Sequence, residues 1–343
     1  MSSANDSALI KRALLLLAGL CSLPMMMIYS ASIGDVPISF STTSSAILNG
    51  LGLTSYDLNA VEAGIVWQYR MSRALMATCS GGGLAICGLV LQSLLKNPLA
   101  EPYLLGISAG ASTGAVLVML LGIGSGAITV GGGAFLGACL AFGIILLLSG
   151  GMNGKTGRII LAGVAGTQLF NALTAYIVST SANAEQSRGV MFWLLGSLSG
   201  VRWADAILCS AIVLVGLLIV LGYARSLDTF AFGNEVSATL GTHIQHVRII
   251  LLLITALITA TIVSAIGAVG FVGLVIPHAT RMLVGHRHLI TLPVAFIAGC
   301  HFMMLADLMS RMLIAHQVLP IGVVTALVGA PAFACILYRH KGN

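Results

Sequence analysis

Charge is what this sequence has least of. Only 8% of its 343 residues are charged and 58% are hydrophobic, against roughly a quarter charged and under half apolar in soluble domains. That deficit excludes a water-solvated globular fold and leaves no material for a separate soluble domain. Acidic side chains are scarcer still: ten in all, of which Asp205 stands at the very start of an apolar stretch and only Asp307 falls within one, close to its end. A proton- or sodium-driven carrier keeps carboxylates near the bilayer midplane, so the energy source is expected on another chain. The seven cysteines form no C-x-x-C pair and are odd in number, which excludes a disulfide framework and a cysteine-rich zinc site. They are expected as free, buried thiols.

What is present is apolar length. A bilayer core about 30 Å thick takes roughly 20 apolar residues per helical crossing. Ten stretches suit that need: Ala13–Tyr29, Ala74–Leu95, Tyr103–Leu121, Ala127–Leu148, Ile159–Val178, Ala204–Tyr223, Ile249–Ala268, Phe271–Val284, Leu289–Met309 and Val318–Tyr338. The first exceeds a secretory signal core and is read as an uncleaved span. Residues Val190–Ser199 are too short to cross and predict a half-helix packed against protein. The expectation is an all-α, polytopic membrane protein of about ten helices, one permease domain over 1–343. With the N-terminus inside, eleven of the 16 Lys and Arg fall on the inner side, which predicts both termini in the cytoplasm. The spacings Gly106-x-x-x-Gly110-x-x-x-Gly114 and Gly133-x-x-x-Gly137 predict close helix packing. A polar outer loop spans 31–66. The inner loop 224–245 mixes apolar and polar residues around Gly233 and Gly241, predicting short helices outside the bilayer.

Several motifs tempt and fail. Ser149–Thr156, SGGMNGKT, comes one glycine short of a phosphate loop and joins two spans where that loop needs a strand and a soluble α/β domain. Gly106-Ile-Ser-Ala-Gly110 imitates a hydrolase nucleophile elbow but opens an apolar span. His243 with His246, and His286 with His288, have no Cys or acidic cluster beside them and are read as solvated loop histidines, so no metal site is expected. Thr167, Asn171 and Thr174 share one face of the fifth span. That face is either an interhelical hydrogen-bonded seam or the lining of a pathway. Arg70, Arg73 and Arg311 lie on the outer side against the retention rule, with Arg70 and Arg73 one turn apart. They are read as facing outward or as anchoring helix ends at lipid headgroups.

Ser72–Ala111 (SRALMATCSGGGLAICGLVLQSLLKNPLAEPYLLGISAGA), Gly270–Gly285 (GFVGLVIPHATRMLVG), Leu305-Ala306-Asp307 and Leu319–Pro331 (LPIGVVTALVGAP) together resemble the FecCD-type permeases, importers of iron-siderophores, haem and cobalamin that work with ABC ATPases. Ser72 stands where many relatives have Pro, and Tyr103 where Gly is frequent. The resemblance implies a permease dimer, with a second copy of this chain as the expected partner, in the bacterial inner membrane. It further implies a cytoplasmic ATPase dimer that carries the ATP, a periplasmic binding protein, the lipid bilayer as solvent, and no nucleic-acid partner. No cofactor is expected on this chain, and no enzymatic activity. Ferric siderophores rank first as cargo, ahead of haem and cobalamin. By the same resemblance Thr167, Asn171 and Thr174 line the pathway beneath the half-helix, and Arg70, Arg73 and Arg311 receive acidic residues of the binding protein. Phe230, Phe232, Glu235, Leu240 and Gly241 carry the ATPase contact, since Glu235 and Gly241 have the six-residue spacing of the coupling motif. The alternative is a stand-alone secondary transporter or channel.

Overall fold

A computed structural model describes residues 2–340 apart from 125, 151–155, 232, 234–236, 238, 240–242, 315 and 316. The deficient phosphate-loop motif at 149–156 therefore lies mostly outside the described residues. Ten apolar helices occupy the ten expected places: α1 (Ser2–Ser32), α4 (Ser72–Leu94), α5 (Ile107–Leu121), α6 (Val130–Leu148), α7 (Thr156–Ser181), α9 (Trp203–Gly222), α11 (Ile244–Ile266), α12 (Val272–Val284), α13 (His288–Met312) and α14 (Ile321–His340). Seven are long and apolar enough to cross a bilayer, while α5, α12 and α14 are shorter apolar helices. Between them lie α2 (Phe40–Gly50), α3 (Ala60–Gly64), α8 (Ala184–Leu194) and α10 (Ala224–Phe230).

The central element is α4. Nearly every residue from Met76 to Leu94 is buried, and it packs against α9, α11, α12 and α13. Its sequence explains this position, because Gly81, Gly82, Gly83 and Gly88 leave the backbone bare for neighbours to touch. A methyl group at Gly81 would overlap the carbonyl of Gly299 on α13, and one at Gly88 the carbonyl of Gly273 on α12. The predicted glycine spacing on α5 and α6 works in the same way, with Gly110 against Gly137 and Gly114 against Gly133. Packing holds helices together where lipid is as apolar as the side chains.

Three departures from the sequence reading have local causes. The loop 31–66 is partly helical: Ser39 caps α2 by accepting from the Thr42 amide at 3.0 Å, and Ala31, Ala46, Ile47 and Val66 make a small core of their own. The half-helix begins at Ala184, six residues before the expected start, because Asn183 and Gln186 form a reciprocal capping box. It stops at Leu194, before Gly196 with a left-handed φ of 76°. All seven cysteines are free, but only Cys79, Cys87, Cys209 and Cys300 are buried; Cys21, Cys139 and Cys335 are exposed.

Gly81→Ala is expected to lower the thermal unfolding temperature in detergent, since overpacking a closed contact costs about 1–3 kcal/mol. Gly143→Ala on α6, where the added methyl meets nothing within 4 Å, serves as the control and should leave the melt unchanged.

Candidate functional site

At the end that the charge count assigns to the outside, α1, α4 and α13 meet around one carboxylate. Asp307 is fully buried. Arg73 donates from Nε to Asp307 Oδ1 at 2.7 Å, and Arg311, one turn along α13, pairs with Asp307 Oδ2 at 3.0 Å. Arg311 also donates to Ile33 O at 2.6 Å and to Ser30 Oγ at 2.8 Å. Arg70 donates to the carbonyls of Ala31, Ser32 and Val36. The three arginines gather at this end, but their guanidiniums turn inward, where they secure the chain leaving α1. Arg73 also reaches the exposed Ser199 Oγ at 3.3 Å.

Arg70 stands in a seven-residue π-helical run, Ile65–Met71, that feeds straight into α4. Ser72 makes that continuity possible, because it keeps the backbone N–H that proline lacks. Its hydroxyl donates to Gln68 O at 2.6 Å.

On α7, Asn171 is exposed and Thr174 is buried. Both line a concavity of about 700 Å³ between α5, α7 and α8, with Ser112, Ser179, Ser187 and Arg188. Thr174 Oγ1 also lies 2.9 Å from Thr113 Oγ1 on α5. The two readings of this face are therefore divided along it: Thr174 closes a seam, and Asn171 presents an amide to the concavity. Thr167, half-buried, is not part of that wall.

Beside α4's inner end, Tyr103 stands on a 3-10 turn, Pro102–Leu105. Its hydroxyl donates to Val269 O at 2.8 Å and accepts from Val269 N–H at 2.9 Å. It therefore satisfies both backbone groups of one residue in the unwound chain between α11 and α12. A glycine could not do this. Burial pushes the neighbouring Glu101 carboxyl up from its ordinary value, opposed by the Phe271 amide that donates to it.

The inner end holds a groove of about 890 Å³ among the end of α4, α10 and the α12–α13 corner. Lys96, Arg281 and Arg287 line it with His278, His286, His288 and Asp228. Arg281 donates to Gln92 Oε1, whose amide donates to Gly273 O at 3.3 Å. His288 corrects the expectation of a solvated loop histidine. It is 6% exposed, and its ring lies between Asp228 Oδ1 at 2.6 Å and Ser93 Oγ at 2.7 Å. Spacing alone did not signal this, since the partners are 60 and 195 residues away. Of the residues expected to couple to an ATPase, Phe230 is buried at 1% exposure in the base of α10. Phe232, Glu235, Leu240 and Gly241 lie outside the described residues. Among the described residues no three His, Cys, Asp or Glu side chains group as a metal site.

A helical membrane body with a polar-lined concavity at one flank and a basic groove at one end defines a transport permease. The chain belongs to the FecCD transport family, whose model matches residues 22–339. It is 33% identical to the cobalamin import system permease of Halobacterium salinarum, over 91% of this chain and 92% of that one. It is also 33% identical to the hemin transport system permease of Yersinia pestis, over 91% of each. Against the vitamin B12 import permease of Escherichia coli the identity is 37%, over 80% of this chain and 84% of that one. Among solved structures, an inward-facing ABC transporter of metal-chelate type superimposes with a TM-score of 0.82 at 28% identity, covering 94% of this chain and 98% of the other. The chain is thus an ABC-importer permease, a transport subunit with no enzymatic role of its own.

Removing the Asp307 carboxylate leaves two buried guanidiniums opposed. Asp307→Ala is expected to destabilise by about 3 kcal/mol, as when one partner of a buried ion pair is deleted. The check is a thermal melt in detergent against the wild type, with Asp57→Ala, at an exposed position between α2 and α3, showing little change.

Proposed function

We propose that this chain is the membrane half of an importer that receives a metal chelate from a binding protein and passes it inward, powered by an ATPase dimer on separate chains. A second copy of the chain completes the pathway, and the assembly lies in a bacterial inner membrane with both termini inside. The carrying observation is the concavity lined by Asn171 and Thr174 beside the half-helix α8. The polar side chains Asn171, Ser112, Ser179, Ser187 and Arg188 set in its largely apolar wall are costly against lipid and suit a water-filled passage.

The cargo reading keeps ferric siderophores first, with haem and cobalamin as the second reading because the three named relatives are import permeases for cobalamin, hemin and vitamin B12. Vesicles containing the permease and its ATPase, supplied with loaded binding protein, should accumulate one of these three chelates only when ATP is inside with the ATPase. Accumulation without the ATPase would establish the stand-alone transporter in its place. In a cysteine-free background, Asn171→Cys should react with a polar thiol reagent in at least one transport state, whereas protection in every state would remove the lining role.

Docking is placed at the outer arginine cluster. An arriving carboxylate meets Arg73 at its exposed side, where Ser199 is only a long partner at 3.3 Å, and a guanidinium can grip it with two parallel bonds. Arg70 and Arg311 complete the positive field of that rim. Arg73→Glu should lower the affinity for the binding protein at least tenfold, and a reciprocal acid-to-base change on that protein should restore part of it. Equal loss from Arg188→Glu or Arg202→Glu would mean a diffuse surface field and no docking socket. The ATPase contact is placed on 224–245, where a bulky residue at Gly241 should uncouple hydrolysis from import.

A further inference from the structure

The Asp228 carboxylate accepts two hydrogen bonds from one residue, the backbone N–H of His288 at 2.9 Å and the ring Nδ1–H at 2.6 Å. The first caps the N-terminus of α13. On its other side the ring Nε2 lies 2.7 Å from Ser93 Oγ on α4, whose hydroxyl also reaches Leu89 O at 2.9 Å. One carboxylate on α10 is thereby tied to the inner ends of two long helices. Leu227 and Phe230 flank it in sequence and are buried at 0% and 1% exposure. These apolar anchors resist lifting α10 away, but they are non-directional. The hydrogen bonds fix how it is turned.

The helices so tied are antiparallel partners from end to end. The clasped lengths, Arg73 to Ser93 on α4 and His288 to Arg311 on α13, are about 30 and about 35 Å at 1.5 Å per residue. Between the two clasps they touch backbone to backbone at Gly81 and Gly299, with Phe296 and Cys300 set against Gly82. Such a contact has no soft side chain between the helices to absorb a slide. The Arg73–Asp307–Arg311 cluster closes the outer end as Asp228–His288–Ser93 closes the inner one.

We propose that Asp228 is a positioning residue for energy coupling: through His288 and Ser93 it makes α10 move as one body with the α4–α13 pair, linking the ATPase-facing segment to the outer cluster. This rests on the importer reading above and goes beyond it in naming the joint and the route. Arg281, Arg287, His286, His278 and Lys96 also face the groove, and it is the Asp228 oxygen, as acceptor of both N–H groups, that holds His288.

The test uses the permease assembled with its ATPase in lipid nanodiscs, and the readout is ATP hydrolysis with loaded binding protein divided by hydrolysis without it. Asp228→Ala should lower that ratio at least fivefold. Asp228→Asn keeps an oxygen for both N–H groups and should stay within twofold of wild type. His288→Ala should match Asp228→Ala, and the double variant should be no worse than either single one. A merely structural Asp228 would reduce the folded yield and both rates together while the ratio held, which overturns the proposal. So would additive losses in the double variant. Should Asp228→Ala fail to accumulate, His288→Asn carries the test: it keeps the backbone bond and loses the ring, and an unchanged ratio there overturns the proposal equally. A wild-type complex that binds no ATPase sinks the importer reading, and this inference with it, and is told apart by failing before any variant is made.

Discussion

The contact on which the rest of this structure hangs is the one between α4 and α13, made with almost no side chain in the way. Glycine faces glycine at residues 81 and 299, so the two backbones set their own separation and the neighbours fit around them. In water a glycine-rich helix would be a poor choice, since each glycine costs roughly 1 kcal/mol of helix propensity relative to alanine. In lipid the balance changes, because apolar side chains gain little by leaving the bilayer for the protein interior. Close approach then becomes the main source of attraction, and bare backbone is the residue type that permits it.

That economy creates a second requirement. Where helices break inside the body, each freed amide and carbonyl needs a partner, since hydrocarbon supplies none. The breaks before α9, α12 and α14 answer one another: Ser197 N–H donates to Ile266 O at 2.8 Å, Ile321 N–H to Gly196 O at 3.0 Å and Gly322 N–H to Leu195 O at 3.1 Å. Tyr103 serves the fourth position, Val269. The half-helix α8 is therefore not a loose insertion. Its C-terminal end is stitched to the end of α11 and to the start of α14.

The positions of the ten apolar helices were legible because hydrophobic length is a local property, as was the glycine spacing on α5 and α6. The charge rule groups Arg70, Arg73 and Arg311 only by side. It says nothing of where a guanidinium points, and Asp307 together with the carbonyls at the end of α1 turned these inward. His288 was misread for a related reason. Its neighbours in sequence, Arg287 and His286, suggested a solvated corner, whereas its partners come from α4 and α10. The start of α8 was within reach of a closer reading, since Asn183-Ala-Glu-Gln186 carries a capping box just ahead of the apolar run.

These features together explain why so few charges suffice. A bilayer protein cannot spread ion pairs through its interior, because each would be taken out of water at a cost of several kcal/mol per ion. Here the described ion pairs stand at the two ends, Asp307 with Arg73 and Arg311 at one and Asp228 with His288 at the other. The length between them is filled by glycine contacts and apolar packing. Direction and register are set at the ends, where polar chemistry is affordable, and the close-packed middle carries them across. A machine whose ligand arrives on one side and whose fuel is burned on the other needs that division, and the scarcity of charge in the sequence is its first trace.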